Sequence, residues 1–388
     1  MSCDRSDGST RGDLETTARR AEAWLCDQAL PQWSTRGFDA ETGFFEEQLT
    51  FTGEPVRTAP RRVMVQARQI SVYAAAALSG RSVNGRELAL GTMRRTIAAY
   101  HGIDGQPGWV FSINRTGRPV DSKRDLYSHA FVLFALAWVM RLEHAPEFEE
   151  AVEATLDFLD KAFVDPVNGG LWDCLPRPDA LRRQNPHMHL FEAYIALFET
   201  TGRADVLERG HRLRDLAVKR FIDFETGALR EYFLDDWRVY PAPGKGSVEP
   251  GHLFEWAWLL RRWQTASGED QSAVVERLMA LAISAGLDVE RGRIVDEIGE
   301  DGSLRRATSR SWPHAEALKS LMTETAINRH PPDPLAAAIL SRLLEVYCRP
   351  DLGGGWIDHV DAEDQALASV MPASTLYHLY FGIDALSN

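Results

Sequence analysis

A repeat of about 62 residues, centred on an apolar helix that bears a histidine, is the feature that most constrains the fold of this 388-residue chain. The segment NPHMHLFEAY at 185–194 is echoed by EPGHLFEWAW at 249–258, and both contain His-Leu-Phe-Glu. Related segments continue the series, whose histidines are His129, His189, His252, His314 and His378. They are separated by 60, 63, 62 and 64 residues, and so constant a period predicts one supersecondary unit used several times.

Two further parts recur in each unit. Before each apolar helix lies a short segment that alternates polar with apolar residues near a glycine, which is typical of a strand or hairpin. These segments begin at Thr42, Pro107, Gly169, Thr226, Arg291 and Gly353. Helical windows with apolar residues at three- and four-residue spacing lie between the units, at 14–29, 85–100, 146–163, 203–221, 270–286 and 334–348.

The two sets of helices differ in how their apolar residues are distributed. Helices of the histidine series are apolar on nearly every face, as in FVLFALAWVM at 131–140, whereas EFEEAVEATLDFLDKAF at 147–163 keeps its charges on one face. Buried helices inside and amphipathic helices outside form a double ring that six pairs can close. The sequence thus predicts an all-α fold: an (α/α)6 barrel of twelve helices in a single domain over residues 13–388. Its short β-hairpins would lie at one mouth, after a disordered polar N-terminus at residues 1–12.

Composition narrows the class of protein without naming a substrate. The formal net charge of -13 is spread along the chain without a long basic run, which argues against nucleic acid or an anionic membrane as partner. No apolar run reaches the roughly eighteen residues of a membrane span. The four cysteines form no CxxC pair, and the polar first residues lack the apolar core of a signal peptide. We therefore expect a cytoplasmic protein, monomeric or homodimeric, that acts on a small molecule.

The first turns of the inner helices should line one cavity, because the hairpins that precede them gather at one mouth. Buried histidines at a common phase are costly unless they have a purpose, so the series predicts a catalytic pocket. His187 and His189 cannot share a helix face, and the internal echo selects His189 for the cavity. His252 and Glu255 lie on one face, as a simple surface pair or as an acid and base side by side. Arg68, inside an apolar segment, needs a carboxylate or the oxygens of a ligand as its partner.

These residue types favour proton transfer over redox or phosphoryl chemistry, because the sequence has no nucleotide fingerprint and no phosphate-cradling glycine loop. A metal pair at His187 and His189 is disfavoured, since a helix points the two rings apart and no carboxylate lies at matched spacing. We therefore expect no metal and no other cofactor. The natural target is a proton alpha to a carbonyl, which in an open-chain aldose is the proton on C2.

The motifs that carry these residues resemble those of the N-acylglucosamine 2-epimerase superfamily over essentially the whole chain. They are QAR at 66–68, YSHAF at 127–131, NPHMHLFEAY, EPGHLFEW, WPHAEAL at 312–318 and LYH at 376–378. The resemblance implies a metal-free deprotonation at C2 that gives an enediol. It also implies that a monosaccharide or a related sugar is the substrate.

The resemblance further implies a role for each candidate residue. His252 and His378 would move the C2 proton, Glu255 would support His252, and His189 would assist binding and ring opening. The residues expected to bind the sugar are Arg68, Asn185, Trp312, His129, Glu316 and Tyr127.

Two outcomes of this chemistry are open, because the proton can return to C1 and give a ketose or return to the other face of C2 and give the epimer. Disaccharide epimerases of the family carry a further tryptophan shortly before the last histidine, where this chain has Ala373 and Ser374. The smaller floor favours isomerisation of D-mannose to D-fructose, with D-lyxose to D-xylulose as a related reaction. The alternatives are a 2-epimerase of the mannose/glucose, N-acylglucosamine or cellobiose type, and a mannose-6-phosphate isomerase. A phosphate could use Lys245, Arg115 and Arg118, which could equally be solvated loop charges.

Two other classes of protein compete with these. A glycoside hydrolase on the same toroid would need two facing carboxylates, for which Glu255, Glu316 and Asp358 are candidates. Imidazole groups nevertheless dominate the inner ring. A non-catalytic helical scaffold would expose a groove and would have no reason to direct histidines inward.

Overall fold

A computed structural model describes residues 7–329 and 334–387 of the chain. Most of these residues are helical. The α-helices are α1 (Asp7–Trp24), α2 (Leu30–Thr35), α3 (Val63–Leu78), α4 (Gly85–Tyr100), α5 (Leu126–Leu142), α6 (Pro146–Phe158), α7 (Gln184–Thr201), α8 (Ala204–Leu216), α9 (Pro250–Ser267), α10 (Ser272–Gly286), α11 (Trp312–Asn328), α12 (Pro334–Arg342) and α13 (Leu376–Asp384).

Four outer helices end in a five-residue π-helical turn or contain one. The turn Leu25–Ala29 joins α1 to α2, and further turns at Leu159–Phe163, Ala217–Phe221 and Leu343–Tyr347 extend α6, α8 and α12. The pieces α1 and α2 therefore fill one position of the outer ring. Because α1 begins at Asp7, the boundary predicted at residue 13 lies inside this helix. Residues 1–6, which fall in the predicted disordered N-terminus, lie outside the described residues.

Six helices form a closed inner ring in which each contacts the next. Their order is α3, α5, α7, α9, α11 and α13, and α13 packs back against α3. The outer helices α4, α6, α8, α10 and α12 each pack against the inner helix that precedes them, and α1 contacts α12 and α13. The predicted (α/α)6 barrel of twelve helices is confirmed.

The distribution of apolar residues explains why the helices take these two positions. In α5 every residue from Leu126 to Ala137 except Tyr127 is buried, as befits a helix with neighbours on all sides. By contrast, α6 buries only residues on one face, which include Phe148, Val152 and Leu156. Among the described residues, every helix is too short or too polar to span a membrane.

Short antiparallel strands connect successive units at the end of the barrel where the inner helices begin. They are Phe38–Asp39, Phe44–Phe45, Gln48–Thr50, Arg61–Arg62, Ser112–Ile113, Pro119–Asp121, Arg124–Asp125, Cys174–Leu175, Arg182–Arg183, Tyr232–Phe233, Val239–Tyr240, Ser247–Val248, Leu287–Asp288, Arg293–Ile294, Glu297–Gly299, Leu304–Arg306, Ser309–Arg310, His359–Val360 and Val370–Pro372. The last strand pairs with Gln48–Thr50, so strand pairing, like helix packing, joins the last unit to the first.

Three histidines, which we call the clamp histidines, fix the hairpins to the inner helices. They are His129, His187 and His314, and each ring is buried. In each, Nδ1 lies 2.7–3.0 Å from the backbone carbonyl four residues earlier, and Nε2 accepts a backbone N–H of the preceding hairpin at 3.1–3.2 Å. The hairpin donors are Trp109, Leu171 and Ile294. Gln66 does the same work in the first unit, since its amide exchanges two 2.8 Å hydrogen bonds with the backbone of Phe45.

Candidate active site

A cavity of about 310 Å³ lies at the mouth of the barrel, where the first turns of the inner helices converge. This volume is at the low end of the range for small-molecule pockets and suits a single sugar ring. The residues that line it are Arg68, Tyr127, Asn185, His189, Glu249, His252, Glu255, Arg310, Trp312, Asp358, Pro372, Ser374, Thr375 and His378. The structure therefore brings together eight of the ten predicted site residues, and the exceptions are His129 and Glu316.

His252 stands against a carboxylate that comes from a hairpin. Its Nδ1 is 2.9 Å from Oε1 of Glu231, and its Nε2 is 3.0 Å from the side-chain amide of Asn185, which accepts through its oxygen when the ring is an imidazolium. Burial alone would lower the pKa of His252, but the charges of Glu231 and Glu249 outweigh it and raise that pKa to about 9. His252 is therefore an imidazolium at neutral pH.

Glu231 is itself held by a buried network behind His252. Its Oε2 accepts a 2.9 Å hydrogen bond from the Gln184 amide, whose carbonyl oxygen accepts the indole N–H of Trp256 at 2.7 Å. The amide orientation is thus fixed by the indole, because Trp can only donate. This chain of contacts holds the carboxylate in place beside Nδ1 of His252.

His378 is held in the opposite protonation state. Its Nδ1 is 2.6 Å from Oε1 of Glu316, a residue buried behind it. Burial, followed by the positive charges of Arg68 and Lys319, holds the pKa of His378 far below its usual value. With the Nδ1 proton donated to Glu316, the ring keeps a free lone pair on Nε2, as a general base requires.

Trp312 separates the two histidines. Its ring centroid lies 5.1 Å from that of His252 and 5.4 Å from that of His378. The closely packed Gly251 makes room for the indole, since a Cβ at that position would be only 2.5 Å from Trp312. The apolar indole face between two imidazoles is suited to stacking against a sugar ring.

A third histidine and a second carboxylate form the floor of the cavity. His189 Nδ1 is 3.2 Å from Glu192 and 3.7 Å from Glu255. Burial lowers the pKa of His189 to about 4 even though Glu192 opposes this effect, so His189 is neutral. Both oxygens of Glu255 lack a hydrogen-bond partner among the described residues. Burial and then the charge of Glu316 hold the pKa of Glu255 well above its usual range.

Arg68 is almost entirely buried and forms no ion pair with a carboxylate of the described residues. It donates to the Tyr127 hydroxyl at 2.5 Å and to the Ser374 carbonyl at 3.0 Å, and its guanidinium lies 4.1 Å from the Phe131 ring centroid. The expectation of a ligand partner for this charge is therefore consistent with its place in the cavity wall. A guanidinium there can bind hydroxyl or carbonyl oxygens.

The structure places three of the candidate residues differently from the prediction. His129 does not reach the cavity, because its two ring nitrogens are both used in the hairpin clamp. Glu316 does not line the cavity either, and it contacts His378 from behind. Glu255 was predicted to support His252, but it lies 3.7 Å from Nδ1 of His189. The carboxylate bonded to His252 is that of Glu231.

The cations considered for a phosphate group also lie elsewhere. Arg115 binds Glu46 and Asp39 in the first unit, and neither Arg118 nor Lys245 lines the cavity. Arg310, which sequence reasoning missed, does line it and forms ion pairs of 2.6 Å with Glu249 and 2.9 Å with Asp296. Arg310 ends a strand before its helix and Glu231 lies just before the strand Tyr232–Phe233, so the repeated helical segments gave no signal for either residue.

Three groups in the described residues bring histidine and carboxylate atoms close enough to hold a metal ion. They are His189 with Glu192 and Glu255, His252 with Glu231 and Glu249, and His378 with Glu255 and Glu316. In each group, the shortest approach of the histidine to a carboxylate is a hydrogen bond between those two side chains. The expectation of metal-free chemistry remains a prediction.

The fold and the site together define a helical-barrel enzyme with an acid–base pocket. A family model described as N-acylglucosamine 2-epimerase (GlcNAc 2-epimerase) matches residues 43–382. A mannose-6-phosphate isomerase from Rhizobium meliloti (strain 1021) is 36% identical over 97% of this chain and 98% of its own. The chain therefore belongs to the N-acylglucosamine 2-epimerase family of sugar epimerases and isomerases.

Among the other relatives, some are named as isomerases and others as epimerases. A D-mannose isomerase from Thermobifida fusca is 29% identical, with 71% of each chain covered. A crystal structure of D-mannose isomerase covers 100% of this chain and 99% of its own, with a TM-score of 0.83 and 20% identity. The cellobiose 2-epimerase from Spirochaeta thermophila DSM 6192 has the same TM-score at 25% identity, covering 96% of this chain and 97% of its own.

Proposed function

We propose that this protein is an aldose–ketose isomerase that interconverts D-mannose and D-fructose, and D-lyxose and D-xylulose as related substrates. The observation that carries the proposal is the pair of histidines on either side of Trp312, one held as an imidazolium by Glu231 and the other held neutral against Glu316. A single pocket then offers an acid and a base at the same pH, as enolisation requires.

The roles follow from the protonation states. Neutral His378 removes the C2 proton through Nε2, while imidazolium His252 donates its proton to a sugar oxygen and offsets the charge that develops there. Arg68 binds the carbonyl oxygen as the enediol forms. His189, with Asn185, lies where it can assist opening of the ring. His378, whose proton can exchange with solvent, then protonates C1 while the O2 hydroxyl returns a proton to the now neutral His252, which gives the ketose and restores both histidines.

The size of the floor supports an isomerase over a disaccharide epimerase. Ala373 and Ser374 stand where the disaccharide epimerases of the family carry a further tryptophan; Ser374 lines the cavity, and its carbonyl accepts a hydrogen bond from Arg68. The pocket therefore has no second aromatic platform on that side for another sugar unit. A 2-epimerase acting on a monosaccharide uses the same acid and base, and only the product separates it from an isomerase.

The test is to incubate the protein with D-mannose in deuterium oxide with a chelator and to follow the sugars by proton NMR. We expect loss of the mannose C2 proton signal and the appearance of fructose that carries deuterium at C1. Appearance of glucose in place of fructose would show a 2-epimerase. Unchanged mannose would contradict the proposal for the free sugar.

Mannose 6-phosphate is the second candidate substrate, because the relative with 36% identity is a mannose-6-phosphate isomerase. A neighbouring cavity shares Tyr127, Asn185, Glu249 and His252 with the first and adds Arg62 and Arg183 to its lining. In Arg62 only Nε and the backbone N–H bind Glu47, so its terminal nitrogens can receive a phosphate.

The two substrates are separated by comparing kcat/KM for mannose and mannose 6-phosphate in the wild type and in Arg62→Met. If the phosphorylated sugar is the substrate, the variant should lose activity on it and keep its activity on mannose. Arg177→Met is the matched control, because Arg177 is at the surface, pairs with Asp235 and lies outside both cavities.

A further inference from the structure

Lys319 is the only buried lysine among the residues that the structure describes, and its side chain is 1% exposed. It lies on α11 one turn after Glu316, and its Nζ is 2.5 Å from Oε2 of that carboxylate. The ammonium group also lies 3.7 Å from the ring centroid of Trp258, which shields it from solvent. A charged lysine is rarely buried without a purpose or a partner.

The lysine does not touch the sugar cavity. It lines a separate cavity of about 250 Å³, together with Trp258, Met322 and Phe381 from the later turns of the inner helices. Any effect on the sugar must therefore pass through another side chain. Glu316 is the direct link, because its second oxygen is 2.6 Å from Nδ1 of His378.

The state of Glu316 decides which nitrogen of His378 carries the proton. An ionised Glu316 can only accept, so it requires Nδ1–H and leaves the lone pair on Nε2 facing the cavity. A protonated Glu316 could donate to Nδ1 and would favour the Nε2–H form, which cannot remove a proton from the sugar. Burial raises the pKa of Glu316 above its usual value, and the charge of Lys319 opposes this rise.

Several other ionisable groups face this pair from the neighbouring helices. They are Glu192 and His189 on α7, Glu255 on α9, His378 and Tyr377 on α13, and Arg68 on α3. Arg68 lies in the wall of the sugar cavity, where it donates to the Tyr127 hydroxyl and to the Ser374 carbonyl. Among the residues that the structure describes, Lys319 is the only lysine or arginine that forms an ion pair with Glu316.

We propose that Lys319 is a positioning residue for the isomerisation: it keeps Glu316 ionised from behind the active site and so fixes the Nδ1–H tautomer of His378. This inference rests on the proposed role of His378 as the base. It adds a residue outside the sugar cavity to the groups that control the reaction.

The first test is the pH dependence of turnover in Lys319→Met, which keeps the length of the side chain and removes the charge. We expect kcat at neutral pH to fall about tenfold or more while KM stays within about twofold. The reason is that each unit by which the pKa of Glu316 rises above the assay pH lowers its ionised fraction about tenfold. The acid limb of the kcat profile should move to higher pH, so that activity returns on the alkaline side.

Two further variants separate this effect from a general loss of structure. Arg261→Met removes another buried cation from the same rear cavity, one that pairs with Glu324, and it should leave the pH profile in place. In Glu316→Gln there is no carboxyl to ionise, so adding Lys319→Met should cause little further loss. A Lys319→Met protein with the wild-type pH profile, or additive losses in the double variant, would overturn the proposal.

A measurement on the wild type keeps the proposal testable even if Lys319→Met does not fold. The ¹⁵N chemical shifts of His378 report its tautomer without any sugar, and we expect Nδ1–H. Finding Nε2–H would overturn the role of Lys319. Finding Nδ1–H in a protein that does not convert mannose would contradict the proposed substrate and leave the tautomer control intact.

Discussion

At the residue scale, the central feature is that two imidazoles in one pocket have opposite protonation states. The difference arises from their partners, because His252 faces the anionic pair Glu231 and Glu249 whereas His378 feels the cations Arg68 and Lys319. Both rings are buried, so burial alone would make both neutral. The carboxylates behind each ring therefore determine the chemistry as much as the rings themselves.

Replacing Glu231 with Gln should narrow the pH range of activity. The carboxylate raises the pKa of His252 to about 9, so activity that needs the imidazolium should fall as the pH rises through about 9. Without that charge, the pKa of His252 falls and the alkaline limb of kcat/KM should move to lower pH by about one unit or more. The pH–rate profile measures this shift.

Glu324→Gln is the matched control for this change, because Glu324 pairs with Arg261 away from the sugar cavity. The alkaline limb of the kcat/KM profile of Glu324→Gln should coincide with that of the wild type. If Glu231→Gln also kept the wild-type limb, the assignment of Glu231 as the group that raises the pKa of His252 would be wrong.

At the element scale, the clamp histidines show why the sequence repeats a histidine that has no part in the chemistry. A short two-stranded hairpin is marginally stable by itself. Each clamp ties one backbone N–H of the hairpin to the first turn of an inner helix and so fixes the hairpins around the mouth. The repeated histidines thus include two sets, one that holds the hairpins and one that faces the sugar cavity.

The clamps should make the protein sensitive to mild acid. Burial lowers the pKa of His129 and His187 to about 4 and that of His314 to about 3. Above a pH of about 6.5 each is neutral in both the folded and the unfolded chain. As the pH falls from there toward 4, the unfolded chain binds protons that the folded chain cannot, so the free energy of unfolding should decrease.

The first unit offers the replacement that tests this, because Gln66 also accepts a hairpin backbone N–H and has no titratable group. The triple variant His129→Gln, His187→Gln and His314→Gln should show a weaker loss of stability between pH 6.5 and 4.5 in denaturant unfolding. The expected difference is up to about 1.4 kcal/mol per pH unit for each histidine. An unchanged slope with pH would show that the clamps do not control acid stability.

At the scale of the whole molecule, the fold was predictable because the period and the two kinds of helix were both present in the sequence. The spacing of His189, His252 and His378 also placed three pocket residues correctly. The same spacing wrongly predicted that His129 and His314 face the cavity. These two rings occupy the position of His187, two residues before the cavity position of His189, and a ring at that position points toward the hairpin and serves as a clamp.

The partners of the histidines could not be predicted from local sequence. Glu231 reaches His252 from a hairpin 21 residues earlier, and Glu316 reaches His378 across 62 residues from another helix. Such contacts depend on how the ring closes, where Val370–Pro372 pairs with Gln48–Thr50 and brings Ser374 to Arg68. Closure joins the last unit, with His378, to the first, with Arg68.

The most direct test of this account is a pH titration of the histidines of the free protein by ¹⁵N–¹H NMR, with His252→Asn and His378→Asn used to assign the signals. We expect His252 to remain an imidazolium until the pH approaches about 9 and His378 to stay neutral, with its proton on Nδ1, across the same range. If both rings instead titrated together near the ordinary histidine pKa of about 6.5, the pocket would hold no distinct acid and base and the account would be contradicted.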